Sequence, residues 1–265
     1  MQQSPGGGYI PPDVIQNMGQ QNQVMLWTGL GAIYGEKKLV RAARSIVKKY
    51  LQPWTQRLFF ITPKLIYNAK KFSSILPRNL GERLDKVADM FRSASDIVNG
   101  YPSEVALPLA YWLSGQRPQP NQALNPAHDG CGLIWYSPLV PMVPTMVEEY
   151  LNMVENTCRE HDINPLITLT SLTDRCFGST VPLLFKRDDQ HAVECAHRCY
   201  QALFDRGQKV GFVSYRLGIQ AMNQTTSLPG VFWPLVRQIK GFLDPKNILA
   251  PGRYSSYEQP MKDKI

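Results

Sequence analysis

A tyrosine followed directly by an arginine, Tyr215-Arg216, is the pair in this chain whose chemistry is easiest to state. A phenolic hydroxyl beside a permanently charged guanidinium can hold a phenolate or a carboxylate. A cation next to an acidic group lowers its pKa by about 1 to 3 units, roughly 1.4 to 4 kcal/mol in favour of the anion. On a strand the two side chains leave toward opposite faces, yet both are long enough for one to line a site while the other reaches around its rim. The plain alternative is a structural tyrosine next to a surface arginine.

Other constellations say less. His191, Cys195 and Cys199 recur every four residues, so one helix face presents three metal-ligand types with His197 nearby. Zinc sites usually gather ligands from separate elements, and such cysteines on an amphipathic helix are more often small core residues. No metal is expected. Gly29-Leu-Gly31-Ala-Ile-Tyr34-Gly35 before a helix invites a dinucleotide reading, but the third glycine falls one residue late and no acidic residue follows about 20 residues on. Glycines for close strand packing are the simpler account. No Gly-x-Ser-x-Gly elbow is present, and the four histidines offer an activated serine no obvious partner.

The elements that would position these residues follow from composition and period. The 265 residues are 43% hydrophobic and 10% aromatic, enough to bury a core. No apolar run reaches the length of a membrane span, and residues 1–8 show no secretory pattern. The compartment expected is the cytoplasm. Five cysteines are too few and odd in number for a disulfide scaffold. A formal charge of +8 permits an acidic surface as partner. Its densest cluster is Lys37, Lys38, Arg41, Arg44, Lys48 and Lys49, read as a solvated helix face or a dock for an acidic partner. Without a recognised motif or stacking platform, nucleic acid is not expected.

Residues 1–23, rich in Gln, Gly, Pro and Asn, are expected to be a tail or linker. Residues 24–99 suggest strand (24–34), helix (36–50), strand (56–62), then helices over 64–76 and 80–98. The proline-rich stretch 100–130 is an irregular crossover. Residues 131–243 suggest strand (133–139), helix (142–160), strand (166–172), strand (181–185), helix (188–205, ended by Gly207), strand (211–222) and a closing helix (232–243). That order is the split β-α-β arrangement of ferredoxin-like folds. The expected class is α+β, with both halves of 24–243 sharing one antiparallel sheet, helices on one face and the other left free. Residues 244–265 form a return segment and tail.

The closing motif Phe242-Leu-Asp244-Pro-Lys-Asn247-Ile-Leu-Ala-Pro251-Gly252-Arg253-Tyr254 resembles the C-terminal signature of flavin-linked oxidases of the vanillyl-alcohol oxidase and p-cresol methylhydroxylase (4-cresol dehydrogenase) family. Gly132-Leu-Ile-Trp135-Tyr136-Ser137-Pro138 is similar to that family's strand ending in Ser-Pro, and Tyr215-Arg216 sits where the family carries a pair contacting the phenolic oxygen. The register runs from about Val24 to Tyr254. The resemblance implies the cap or substrate domain of an FAD-dependent oxidoreductase. A separate FAD-binding domain or subunit would supply the flavin, because nothing before Val24 could form one. It also implies oxidation of a phenolic or related alcohol by hydride transfer to flavin N5. Tyr215 and Arg216 would be the catalytic pair, and Trp135, Tyr136, Asn247, Pro251, Gly252 and Arg253 would contact the cofactor. Leu133 stands where some members carry the histidine linked to flavin, so no covalent link is expected. Where relatives show paired histidines after an arginine, this chain has Arg175 followed by Gly178 and Ser179. A homo-oligomer is compatible with all of this. The competing reading is a non-catalytic interaction module that keeps the cap fold.

Overall fold

The computed structural model describes residues 8–22, 25–73, 76–113 and 122–254. The chain divides into two compact units, one made of Pro12–Pro108 and the other of Met1–Pro11 with Leu109–Ile265.

The unit Pro12–Pro108 is helical: α1 (Pro12–Asn22), α2 (Lys37–Leu51), α3 (Pro63–Ser73) and α4 (Arg78–Val98). Part of the expected tail is thus a helix, opened by Pro12 with Asp13 in its first turn, both favourable at a helix N-terminus. The strands expected over 24–34 and 56–62 do not form among the described residues. The first contains Gly29 and Gly31, whose added Cβ would meet nothing within 4 Å. A glycine-rich stretch forms a strand only when a neighbour satisfies its backbone, and among the described residues none pairs with it. α3 and α4 are joined more firmly. Ser73 Oγ donates to Asp85 Oδ1 at 2.5 Å, Lys70 pairs with Asp89 at 2.5 Å, and a Cβ on Gly81 would stand 2.6 Å from the Ser73 carbonyl.

The second unit holds the sheet. Its elements are β1 (Cys131–Tyr136), β2 (Leu139–Pro141), α5 (Pro144–Glu160), β3 (Thr168–Ser171), β4 (Cys176–Lys186), α6 (Gln190–Val210), α7 (Ile219–Thr226) and α8 (Phe232–Leu243). All pairings are antiparallel. β4 takes β1 along one half, Tyr136 opposite Val181, and β2 along the other, Leu139 opposite Gly178. Between them the Pro138 carbonyl accepts from Ser179 N at 2.9 Å, so β1 and β2 act as one strand with a break. Pro138 has no N–H to donate, which is why the ladder thins there. β3 lies on the opposite edge of β4, Thr168 facing Thr180. The strand expected over 211–222 is reduced to a short extended piece: Pro138 bridges Ser214, Leu139 N donates to Val213 O and Tyr215 N to Ser137 O. Residues 219–226 turn instead into α7. The split β-α-β order therefore holds, with its last strand abbreviated.

Alternation along these strands sends Ile134, Tyr136, Val140, Val181 and Leu183 toward the helices. There they meet Tyr150, Val154 and Cys158 of α5 and Ala196, Cys199, Tyr200 and Leu203 of α6. Each fully buried Leu or Val contributes roughly 1.5–3 kcal/mol over leaving it in water. α6 begins at Asp189, whose carboxylate accepts from His191 N and Ala192 N, and ends at Gly211, in the left-handed region at φ 90°. The expected stop at Gly207 lies inside the helix. Gly207 serves packing: a Cβ there would sit 2.1 Å from Tyr136 Oη.

This contact yields a paired prediction. Alanine normally gains about 1 kcal/mol over glycine inside a helix, yet Gly207→Ala is expected to lower the urea midpoint because the methyl meets the Tyr136 hydroxyl. Tyr136→Phe in the same chain should recover part of the loss. A Gly207→Ala variant at least as stable as the parent would contradict the packing.

Candidate functional site

The sheet face away from α5 and α6 is covered at one end and open at the other. At the covered end, Cys131 and Leu133 pack against Ala110, Tyr111 and Leu124. Tyr111 Oη donates to Asp129 Oδ2 at 2.5 Å, and His128 Nδ1 lies 3.0 Å from Asp129 Oδ1. Burial and then the Asp129 carboxylate push the Tyr111 phenol up to about 12. The Asp129 carboxyl is held below its ordinary range by its bonds to His128 and Tyr111. This network fixes the segment over the near end of β1.

At the other end Trp135 emerges with 41% of its surface exposed. On the abbreviated strand beside it, Phe212 and Ser214 are buried while Val213 and Tyr215 are exposed, Tyr215 by 44%. Alternation thus puts Tyr215 on the same side of the sheet as Trp135. Tyr215 is hydrogen-bonded through its backbone to Ser137, two residues along from Trp135, at 3.1 Å. The Arg216 guanidinium carbon lies 5.9 Å from the centre of the Tyr215 ring, so the neighbouring side chain does bend around toward its partner. Thr180 and Thr168, paired across β4 and β3, continue the same face with hydroxyl groups.

Tyr136 is a correction. It lies on the helix side, fully buried, its ring edge-on to Tyr200 at 6.4 Å, and burial drives its phenol well above the ordinary range. The period of two that exposes Trp135 hides its neighbour.

The C-terminal motif is organised by Asp244. Its carboxylate accepts from Ile248 N and Leu249 N, both at 2.9 Å, and is bonded by Lys240 Nζ, which also donates to Leu249 O. The lysine, then the two amides, hold the Asp244 carboxyl below its ordinary range. Asn247 and Ala250 take positive φ of 50° and 43°, and Gly252 follows at 76°. Tyr254 then stacks on Trp233 of α8, ring centres 6.2 Å apart. Asn247, Pro251, Gly252 and Arg253 are therefore carried on a turn built against α8, with Pro251 and Arg253 exposed and Asn247 and Gly252 half-buried. The hydrogen bonds of this turn run to α8 and within the turn itself. Asp244 was not singled out from sequence, although an aspartate before Pro-x-Asn is a known turn former.

The metal-ligand run on α6 is split. Cys199 is buried in the core, while Cys195 faces outward 3.8 Å from a ring nitrogen of His191. Among the described residues no cluster of three His, Cys, Asp or Glu side chains could hold a metal ion. Again among the described residues, no helix is long and apolar enough to cross a membrane.

No protein-family model matches the chain. It is 30% identical to 1'-carboxy-chondrochloren decarboxylase of Chondromyces crocatus over 264 residues, 99% of this chain and 48% of that protein. It is 20% identical to the 4-cresol dehydrogenase [hydroxylating] flavoprotein subunit of Pseudomonas putida over 247 residues, 93% of this chain and 40% of that one. Among solved structures, the 4-ethylphenol oxidase of Gulosibacter chungangensis in its isoeugenol complex superposes with a TM-score of 0.75 at 15% identity. The match covers 98% of this chain and 45% of the oxidase, and shows a shared fold. The chain thus spans about half the length of the relatives it matches. The resemblance to flavin-linked oxidases of the p-cresol methylhydroxylase type stands.

Asp244→Asn keeps the turn's shape but removes its charge. Amide exchange at Ile248 and Leu249 should then accelerate while α5 and α6 keep their protection. Because the folded carboxyl titrates below its ordinary range, the turn's contribution is complete above that range and lost as pH falls on through the lowered folded-state titration. Exchange at these two amides should rise toward acid in the parent and stay pH-flat, apart from intrinsic chemistry, in the variant.

Proposed function

We propose that this chain is the substrate-binding cap half of an FAD-dependent oxidoreductase, and that the open end of its sheet face lies over a flavin ring carried by another stretch of protein. The single observation behind this reading is that Trp135 and Tyr215 are both exposed on the same side of adjacent strands, while the opposite side of those strands is sealed. An indole and a phenol on a flat sheet suit a tricyclic aromatic ring. Leu133, half-buried under the covering segment, offers no atom for a covalent link.

FAD, when bound, supplies the acceptor for a hydride taken from the substrate's alcohol or benzylic carbon. The chain's own residues act on the substrate's other end. The Tyr215 hydroxyl donates to a phenolic oxygen, and the Arg216 guanidinium makes the anionic form of that oxygen more favourable. Negative charge held there lowers the cost of losing hydride from the benzylic carbon of the para substituent, because the charge delocalises into the forming quinone methide. Trp135 supplies an apolar floor that excludes water beside the reacting carbon. The relatives named for 4-cresol and 4-ethylphenol support a phenolic substrate class.

The flavin-binding half would dock on α8 and the turn that follows it. Phe232, Leu235, Ile239, Phe242 and Leu243 recur at helical spacing along one side of α8, all exposed, and Ile248 and Leu249 extend the strip. A contiguous apolar strip of this kind marks an interaction surface. The turn would then bring Asn247, Gly252 and Arg253 toward the cofactor's side of the junction.

Two measurements test this. The 265-residue chain mixed with FAD should elute from gel filtration without flavin absorbance; stoichiometric flavin on the chain alone would overturn the divided-site reading. Combined with a flavin-binding half from a 4-cresol dehydrogenase-type relative, the chain should oxidise 4-alkylphenols, and Tyr215→Phe should lower kcat by roughly a hundredfold. Unchanged turnover would remove Tyr215 from the site. A complex that forms without ever binding flavin would favour the non-catalytic module.

A further inference from the structure

α2 belongs to neither the sheet nor the proposed flavin site. Its 15 residues contain Lys37, Lys38, Arg41, Arg44, Lys48 and Lys49 and no acidic side chain, and none of them is buried. Among the described residues, none of these six cations takes part in an ion pair; Arg44 lies over the Phe60 ring at 4.7 Å and Lys49 over Tyr50 at 5.8 Å. At 100° per residue, the six cations fall within one arc of the helix. Leu39, Ile46 and Tyr50, at i, i+7 and i+11, form a strip on the other side. All three are exposed, by 65%, 57% and 66%. Trp54, in the 3-10 turn Gln52–Trp54 that continues the helix, is 87% exposed.

A solvated helix face explains the lysines and arginines alone. It does not explain why the apolar strip beside them is left in water and ends in Tyr50 and Trp54. Segregated cations, an exposed apolar strip and aromatic residues at one end are together the pattern of a helix lying in the interface of an anionic bilayer. There the strip enters the boundary of the acyl chains, Tyr50 and Trp54 sit at headgroup level, and Lys38 and Lys49, at the edge of the cation arc nearest the strip, reach lipid phosphates and carboxylates. The α8 strip differs in kind, because no comparable run of cations flanks it. We infer that α2 with its Trp54 turn is a peripheral membrane-binding element selective for anionic lipid.

The test uses the full chain and vesicles. It should co-sediment with vesicles of phosphatidylcholine containing about one third phosphatidylserine, but not with phosphatidylcholine alone, and binding should weaken steeply as salt rises. Replacing Lys38, Arg41 and Lys49 by glutamine should weaken binding by roughly a hundredfold. Ile46→Asp should abolish it with the circular-dichroism spectrum unchanged. Trp54 emission, read as the difference between the chain and Trp54→Phe, should shift to the blue on binding. Equal binding to neutral vesicles, or binding that survives the triple glutamine variant, would overturn the inference. Absence of binding overturns it, as does tighter binding to duplex DNA than to anionic vesicles at the same salt. Flavin capture does not enter any of these readouts, so this result and that of the proposed oxidoreductase role are independent.

Discussion

The sheet of Leu109–Ile265 is amphipathic in an unusual sense: both faces carry apolar side chains, and among the described residues α5 and α6 cover one while Ala110, Tyr111 and Leu124 cover only one end of the other. Burial of Tyr136, Val140, Val181 and Leu183 under α5 and α6 fixes the register of every strand, because a slip of one residue would turn these groups outward. With that register set, Trp135 has no freedom to face inward. The exposed indole and the sealed Tyr136 are two outcomes of a single constraint.

The same constraint places Tyr215. Its strand is short, held by one bridge and two flanking backbone bonds, and would be marginal alone. Phe212 makes it definite by standing edge-on to Tyr150, ring centres 5.2 Å apart, and Tyr150 in turn bonds Ser179 Oγ at 2.7 Å. The core therefore reaches through Phe212 to orient a residue on the opposite face.

The closing turn shows a different economy. Asp244 is nearly buried and could not remain charged there without partners. Lys240, Ile248 N and Leu249 N supply them, and the turn they create presents Ile248 and Leu249 outward. The relatives are about twice as long as this chain.

Much of this was legible without coordinates. The period of 3.6 located α2, α4, α5, α6 and α8 within a few residues, and the alternation of branched and polar residues located β3. The tail motif and Tyr215-Arg216 carried the resemblance to flavin-linked oxidases. What failed was whatever depended on a partner. The glycine-rich stretch after Val24 has strand composition yet finds no strand partner among the described residues, Gly207 looked like a stop and proved to be a space for Tyr136, and Trp135 and Tyr136 could not be told apart by type. Local spacing determines which residues share a side of an element, because that follows from backbone geometry alone. Which side is buried, which edge is paired and which glycine is a contact depend on groups distant in the chain, and only the packed structure decides them.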